Sequence, residues 1–288
     1  MTVRVQGAPV RVIAVQTGWV SIRGCHHACC LPHGAPYPLR FLAILADPSV
    51  GARMPIWSYV IVHPEGVFVI DAGASPTYND DASWAPDPIS GLLVRGFIRL
   101  DITTDEALPA RLVALGIEPE AVRAIALTHQ HLDHTGEIRS FPKADIWTTR
   151  AEDDAARIIG AVPWRWRTAT TRARFIDTEG AKQEGTPWRG VSLTKDGALE
   201  AFHTPGHTPG SVTVRLRTDE GDVWFVGDTS FRAADLDPAA PTAGIHTDIH
   251  AVQAIQQWLR ALPSRRAFLP SHDEAVPSTL DEIRGWSR

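Results

Sequence analysis

Three imidazoles and a carboxylate fall within six residues in His129-Gln130-His131-Leu132-Asp133-His134, directly behind an apolar β-type stretch at residues 124–128. Neutral imidazole and carboxylate are favoured ligands for zinc and related divalent ions. Residues i and i+2 leaving a strand point the same way, so His129 and His131 can share one ion. Asp133 and His134, at the following turn and helix start, then face a second position. A solvated loop would explain one stray histidine better than it explains a spaced cluster of this kind.

Three later segments could complete such a site. Thr204-Pro205-Gly206-His207-Thr208-Pro209-Gly210-Ser211 puts a histidine in a stiff Pro/Gly turn between two β-like runs. Residues 223–226 form an apolar strand ending in Gly227-Asp228, and residues 266–270 read as a short strand that delivers Ser271-His272-Asp273. Taken singly, each of these is an ordinary turn residue. Arriving in this order behind the first cluster, they become candidate ligands.

On these motifs the chain resembles the metallo-β-lactamase superfamily and, within it, the N-acyl homoserine lactonases that hydrolyse quorum-sensing signals. The resemblance implies a first metal held by His129, His131 and His207, a second held by Asp133, His134 and His272, and a bridging carboxylate in Asp228. Asp71, in Ile70-Asp71-Ala72-Gly73, looks like the carboxylate that orients a metal-bound histidine. The segments Met54-Pro55-Ile56-Trp57-Ser58-Tyr59 and Leu115-Gly116-Ile117-Glu118-Pro119 are similar to the lactonases' early strands and to the lead-in of their metal strand. The likeness runs from about Trp57 to Asp273. It implies an αββα sandwich and a dinuclear hydrolase acting on a small lactone, with Asp133 and Asp228 as the catalytic carboxylates. Two divalent ions would lower the pKa of a shared water, and Asp133 would carry a proton to the departing ring oxygen. Zinc is the default ion for this ligand set, while iron, cobalt or manganese also suit it.

One position departs from the lactonases. They carry a tyrosine three residues after the bridging aspartate, where its hydroxyl meets the lactone carbonyl; here that residue is Phe231, which donates no hydrogen bond. The difference leaves phosphotriesterases of the methyl parathion hydrolase type as the alternative reading, since they use two metals without that tyrosine. Other superfamily branches fit less well. One class of zinc β-lactamase has cysteine where Asp228 stands, glyoxalase II enzymes carry a helical extension and only 16 residues follow His272 here, and the RNA-processing nucleases need an added arm. A non-catalytic binding protein would have little reason to keep all seven ligands.

The elements that must position these residues alternate along the chain. Residues 10–17, 57–63, 67–70, 124–128, 145–149, 212–216, 223–226 and 267–270 are β-like, and 104–115, 150–160 and 247–262 show helical spacing. At 288 residues and 44% hydrophobic, residues 1–288 suit one large α/β domain. A net charge of -5 speaks against a general nucleic-acid binder, which needs clustered cations. Pro163-Trp164-Arg165-Trp166-Arg167, with Arg172 and Arg174, is a local exception, read as a surface loop with snorkelling arginines.

Residues 1–20 lack a signal-peptide pattern and no segment reaches membrane-span length, so the expected compartment is cytoplasmic, with no membrane partner and a homodimer as an admissible assembly. Cys25-His26-His27-Ala28-Cys29-Cys30 lacks the second half of a zinc motif, and reduced, buried thiols are expected. His203 reads as a packing residue, while His246 and His250 mark a helix start capped by Thr247 or Asp248. Among ten tryptophans, Trp19, Trp57, Trp84, Trp164 and Trp166 are expected, with Phe231, to line an apolar mouth.

Overall fold

The protein, known here from a computed structural model, is described at residues 1–286 except 50, 52, 82–83, 85–90, 92–94, 97, 160–165, 169 and 183–185. Its strands are β1 (Thr2–Val5), β2 (Ala8–Ile22), β3 (Arg53–His63), β4 (Gly66–Ile70), β5 (Ile98–Asp101), β6 (Val122–Ala126), β7 (Asp145–Thr148), β8 (Arg172–Phe175), β9 (Ala181–Lys182), β10 (Arg189–Ser192), β11 (Leu199–His203), β12 (Val212–Arg217), β13 (Asp222–Gly227) and β14 (Arg266–Pro270). One sheet runs β1-β2-β3-β4-β6-β7-β8, with β5 added beside β2; the other runs β14-β13-β12-β11-β10-β9.

The period-two alternation of the strands sorts their side chains into layers. Tyr59, Ile61, Phe68 and Ile70 of the first sheet meet Leu199, Val214, Leu216, Val223, Phe225 and Leu269 of the second. The alternate residues of β13, Trp224 and Val226, point outward and pack with Ile255 and Leu259 of the helix Ile249–Ala261. Across the molecule, Val60, Val69 and Ile125 turn outward against Leu108 and Leu112 of the helix Leu108–Ala114. This is the αββα order expected from the sequence. Each fully buried Leu, Ile or Phe in these layers contributes roughly 1.5 to 3 kcal/mol.

Boundaries shift where backbone chemistry dictates. The helix expected over 104–115 begins at Leu108, because Pro109 has no amide proton to give and fits only the first turn. β2 extends to Ile22 because β5 pairs with its far end, from Trp19 to Ile22, a long-range contact with no local signal. Among the described residues, no helix is long and apolar enough to cross a membrane.

Two expectations are corrected here. Cys25 and Cys30 are joined as a disulfide, with Cα atoms 5.2 Å apart, and Cys29 alone is free. The one-turn helix Gly24–His27, pinned by Gly244 N–H donating to His26 O at 3.0 Å and Cys29 N–H to Thr242 O at 2.8 Å, folds the two thiols within bridging reach. Trp57 and Trp166 are buried away from the wall of the Phe231 cluster, and the cavity of about 260 Å³ that Trp166 lines with Ile138 and Phe141 holds none of the predicted ligands. Trp57 is buried in the layer between the sheets, and Trp166 lies in the outer layer beside Leu108 and Phe141. Trp57 lies within the apolar strand β3, where burial of its large ring outweighs exposure at a rim. Trp164 and Arg165 lie outside the described residues. The neighbouring arginines are already paired, Arg167 with Asp153, Arg172 with Asp145 and Arg174 with Glu179, which leaves no free cationic groove among them.

Candidate metal centre

Strand β6 ends at Ala126, and the chain then opens into the loop that carries His129 and His131 before the short helix Leu132–Thr135 presents Asp133 and His134. From the other sheet, the turn between β11 and β12 brings His207, the end of β13 brings Asp228 and the end of β14 brings His272. Gly227 makes this possible: its φ is +54°, and a Cβ there would come within 2.6 Å of Thr128 Cβ.

The seven side chains gather into two groups. Donor atoms of His129, His131, His207 and Asp228 lie within 4.8 Å of one another, as do those of Asp133, His134 and His272. In the first, His131 Nδ1 stands 2.8 Å from His129 Nε2 and 3.2 Å from His207 Nε2. Asp228 faces both ways. Its Oδ2 lies 3.8 Å from His129 Nε2 and 3.6 Å from His207 Nε2, while its Oδ1 lies 3.6 Å from His134 Nε2 and 3.3 Å from His272 Nε2. Asp133 closes the second group, 3.7 Å from His134 Nε2 and 3.5 Å from His272 Nε2.

A second ring of hydrogen bonds decides which nitrogen His129, His134, His207 and His272 turn inward. Asp71 accepts from Thr128 N–H at 2.7 Å and from Thr128 Oγ1 at 2.8 Å, and its Oδ2 is 2.8 Å from His134 Nδ1. With the threonine hydroxyl spent on Asp71, His129 Nδ1 donates to Thr128 Oγ1 at 3.1 Å, and His129 Nε2 keeps its lone pair for the centre. His272 Nδ1 donates to Pro55 O at 2.9 Å, with the same result. Trp57 supports that loop, its Nε1 donating to Asp273 O at 2.8 Å and its amide to Ser271 O at 2.9 Å. Asp71 itself sits at φ +59°, an uncommon conformation for a non-glycine residue, at the end of β4.

Two supports escaped the sequence reading. His246 does not simply mark a helix start: it is buried, and its Nδ1 is 3.0 Å from His207 Nδ1. Its segment is held by the buried Arg40, which donates to Gly244 O at 2.9 Å, His246 O at 2.6 Å and Thr247 O at 3.2 Å. Glu152 is fully buried and clamps both ligand loops. Its Oε1 accepts from Gln130 N–H at 2.7 Å, between the first two histidines, and its Oε2 accepts from Thr208 Oγ1 at 2.7 Å and Gly210 N–H at 3.0 Å, beyond the third. Gly210 must be glycine, since a Cβ would lie 2.1 Å from Thr149 Oγ1. The only local signal for Glu152 is Thr149-Arg150-Ala151-Glu152, which has the form of a capping box and points to a helix start instead. His203, as expected, packs within the turn, with Nε2 3.0 Å from Pro209 O.

Electrostatics at the centre is frustrated without a cation. Burial and the neighbouring imidazoles hold His129 well below its ordinary pKa, and burial above all does the same to His207. Burial opposes charge on His134 and His272 too, but Asp71, Asp133 and Asp228 outweigh it at His134, and Asp228 foremost at His272, so both rise. Asp228 is buried yet held well below the usual carboxylate range, chiefly by His272, His134 and His129. Burial pushes Glu152 up to about 7 against its three hydrogen bonds. His134 Nε2 and Asp228 Oδ1 are buried with no hydrogen-bond partner. Converging lone pairs, orphaned inward atoms and a nitrogen and carboxylate donor set are what two divalent ions fit. A third grouping, His63, Glu65 and Asp196, is already closed: Glu65 N–H donates to His63 Nδ1 at 3.2 Å and His63 Nε2 reaches Asp196 at 3.0 Å.

The wall beside the centre is apolar. Phe231 is buried, its ring centroid 5.7 Å from that of His272 and 6.1 Å from that of His207, and it packs in one cluster with Leu132, Trp84, Tyr78 and Ile245. His26 and His27 lie over the same ring, at 6.2 and 6.1 Å. Trp84 belongs to this wall, whereas half-buried Trp19 lies under the Arg53 guanidinium at 4.4 Å.

Comparison with known proteins agrees with this geometry. N-acyl homoserine lactonase AttM of Rhizobium johnstonii is 29% identical over 237 residues, covering 79% of this chain and 85% of that protein. A solved N-acyl homoserine lactone hydrolase, with the product N-hexanoyl-L-homoserine bound at its catalytic metal centre, superposes with a TM-score of 0.71 at 18% identity over 97% of both chains. AidC, a dizinc quorum-quenching lactonase, superposes with a TM-score of 0.57 at 15% identity, covering 92% of this chain and 88% of its own. The sequence pattern of the metallo-beta-lactamase superfamily matches residues 51–272, a span that contains every one of the seven converging side chains, and the chain belongs to that superfamily.

Proposed function

We propose that the protein is a dinuclear metal-dependent hydrolase that opens the ring of N-acyl homoserine lactones or related lactones. The observation that carries the reading is Asp228, whose two carboxylate oxygens face two separate groups of inward nitrogens. His129, His131 and His207 would hold one ion, Asp133, His134 and His272 the other, with Asp228 between them. Bound there, two divalent ions supply a water of lowered pKa and polarise a carbonyl. The chain does the rest. Asp71, Thr128, Pro55 and His246 fix the inward nitrogens, and Phe231, Leu132 and Trp84 keep the wall dry so that charges act in a low dielectric. Asp133, the most exposed of the carboxylates at the centre at 14%, takes the proton to the leaving ring oxygen.

Support for the substrate comes from the named lactonases among the relatives, which favour it over the phosphotriester alternative. Zinc, a homodimer and a cytoplasmic location belong to the same proposal, open to elemental analysis, sedimentation and cell fractionation. The decisive experiment challenges the metal-loaded protein with short and long acyl homoserine lactones, simple γ- and δ-lactones, a phosphotriester and a β-lactam. Lactone opening that disappears on chelation and returns with metal is expected. Full activity after exhaustive chelation, with no metal detected, overturns the mechanism, and turnover of the phosphotriester alone overturns the substrate.

A further inference from the structure

Tyr78 ends a short 3-10 turn, Pro76–Tyr78, that follows Asp71 along the chain. This segment is bound to the one that carries Asp133 and His134. Ala72 N–H donates to His134 O at 2.8 Å, Gly136 N–H donates to Gly73 O at 2.7 Å, and a Cβ on Gly136 would meet Ser75 N at 2.3 Å. The Tyr78 ring is 2% exposed and sits in the apolar cluster of Leu132, Phe231, Trp84 and Ile245, the wall of the metal centre. Its hydroxyl is buried with no hydrogen-bond partner among the described residues. An unpaired buried hydroxyl costs stability that phenylalanine would not. Burial raises its pKa to about 12, Arg95 pulls the other way, and the charge of Asp133 adds to the rise. The phenol is therefore a neutral donor at working pH, set in the apolar wall of the centre and without an acceptor among the described residues. Across the same wall, position 231 is an aromatic ring with no donor.

We infer that the Tyr78 hydroxyl is a substrate-binding donor, giving its hydrogen to the oxygen of the carbonyl under attack. This rests on the hydrolase reading above. The hydroxyl is closed off in the free protein, so the wall must part locally to admit a substrate oxygen, and the acceptor it lacks arrives with the substrate and gains charge as the carbonyl is attacked.

Tyr78→Phe removes one oxygen and keeps the ring. Beside two metals, the expected loss in kcat/KM is roughly tenfold to a hundredfold, less than for a lone oxyanion donor, and it falls mainly on kcat. Metal content should be unchanged, and the melting temperature unchanged or higher, because the variant no longer buries an unpaired hydroxyl. Unchanged kcat/KM with a raised melting temperature would overturn the inference. The comparison is made on whichever ester or phosphoester of the panel the wild type hydrolyses, so a wrong substrate class and an idle Tyr78 give different results. If the wild type hydrolyses none, calorimetric binding of N-hexanoyl-homoserine to the metal-loaded proteins decides. Tenfold weaker binding to Tyr78→Phe supports the donor; equal binding, or binding to neither, overturns it. Phe231→Tyr placed in the Tyr78→Phe background should restore part of the loss.

Discussion

Replacing Glu152 by glutamine tests whether the metal ligands are held by their own loops or by a buried clamp. The carboxylate receives three donors, one on Oε1 and two on Oε2. Glutamine keeps the shape but can present only one oxygen. If that oxygen stays with Thr208 and Gly210, the new NH2 group confronts Gln130 N–H, donor against donor. The variant loses one hydrogen bond to a charged group and leaves a buried amide unpaired, roughly 2 to 4 kcal/mol together. For a chain of this size the melting temperature should fall by about 3 to 7 °C. Glu152→Ala orphans all three donors and should cost more, on the order of 3 to 5 kcal/mol. Because Gln130 lies between His129 and His131, and Thr208 follows His207, loosening the clamp should also weaken metal binding at the first group more than at the second. Thermal unfolding of chelated protein and stepwise metal titration measure the two effects. A Glu152→Gln protein that melts within a degree of wild type and binds both ions with unchanged affinity would refute the clamp.

Two other outcomes are expected. Phe231→Tyr should raise lactone turnover modestly with metal content unchanged; loss of turnover with fold and metals intact would make Phe231 a shape determinant of a different pocket. Burial lowers His246 to about 4, below its ordinary 6.5, so the folded protein holds fewer protons than the unfolded chain between those values. Stability should then rise with pH across that window, and metal-free protein should lose roughly 3 kcal/mol from this group as pH falls from 6.5 to 4. His246→Gln should flatten that limb in denaturant titrations at several pH values, and an unchanged slope would argue against a buried neutral imidazole.

The ligand cluster was legible in the sequence because chemistry and spacing coincide there: four of the seven residues lie in one six-residue run, His207 sits in a stiff Pro/Gly turn between two strands, and the other two follow the ends of apolar strands. The supports were not. Glu152 reaches its partners across 22 and 56 residues of chain, and its neighbourhood spells a helix cap. His246 meets His207 over 39 residues, behind a turn whose conformation Arg40 fixes from farther still. Trp57 showed the opposite failure: a tryptophan in a strand carries the same letter whether it fills a layer or lines a mouth, and only the second sheet decides. The Cys25–Cys30 bridge depends on a one-turn helix that no periodicity announces.

The ligands hang from both sheets, four from the loop after β6 and its short helix, three from the β11–β12 turn and the ends of β13 and β14. At this end backbone bonds also stitch the sheets, among them Val212 N–H to Thr128 O at 2.7 Å and Trp57 N–H to Ser271 O at 2.9 Å. Cations seated there would behave as a cross-link closing a seam. Emptied of them, His134 Nε2 and Asp228 Oδ1 stay buried without partners, so this end should open locally at lower cost while the layer of Tyr59, Phe68 and Phe225 stays shut. Metal supply would then set the lifetime of the protein as well as its activity, because the starved form exposes the very strand ends a protease can grip.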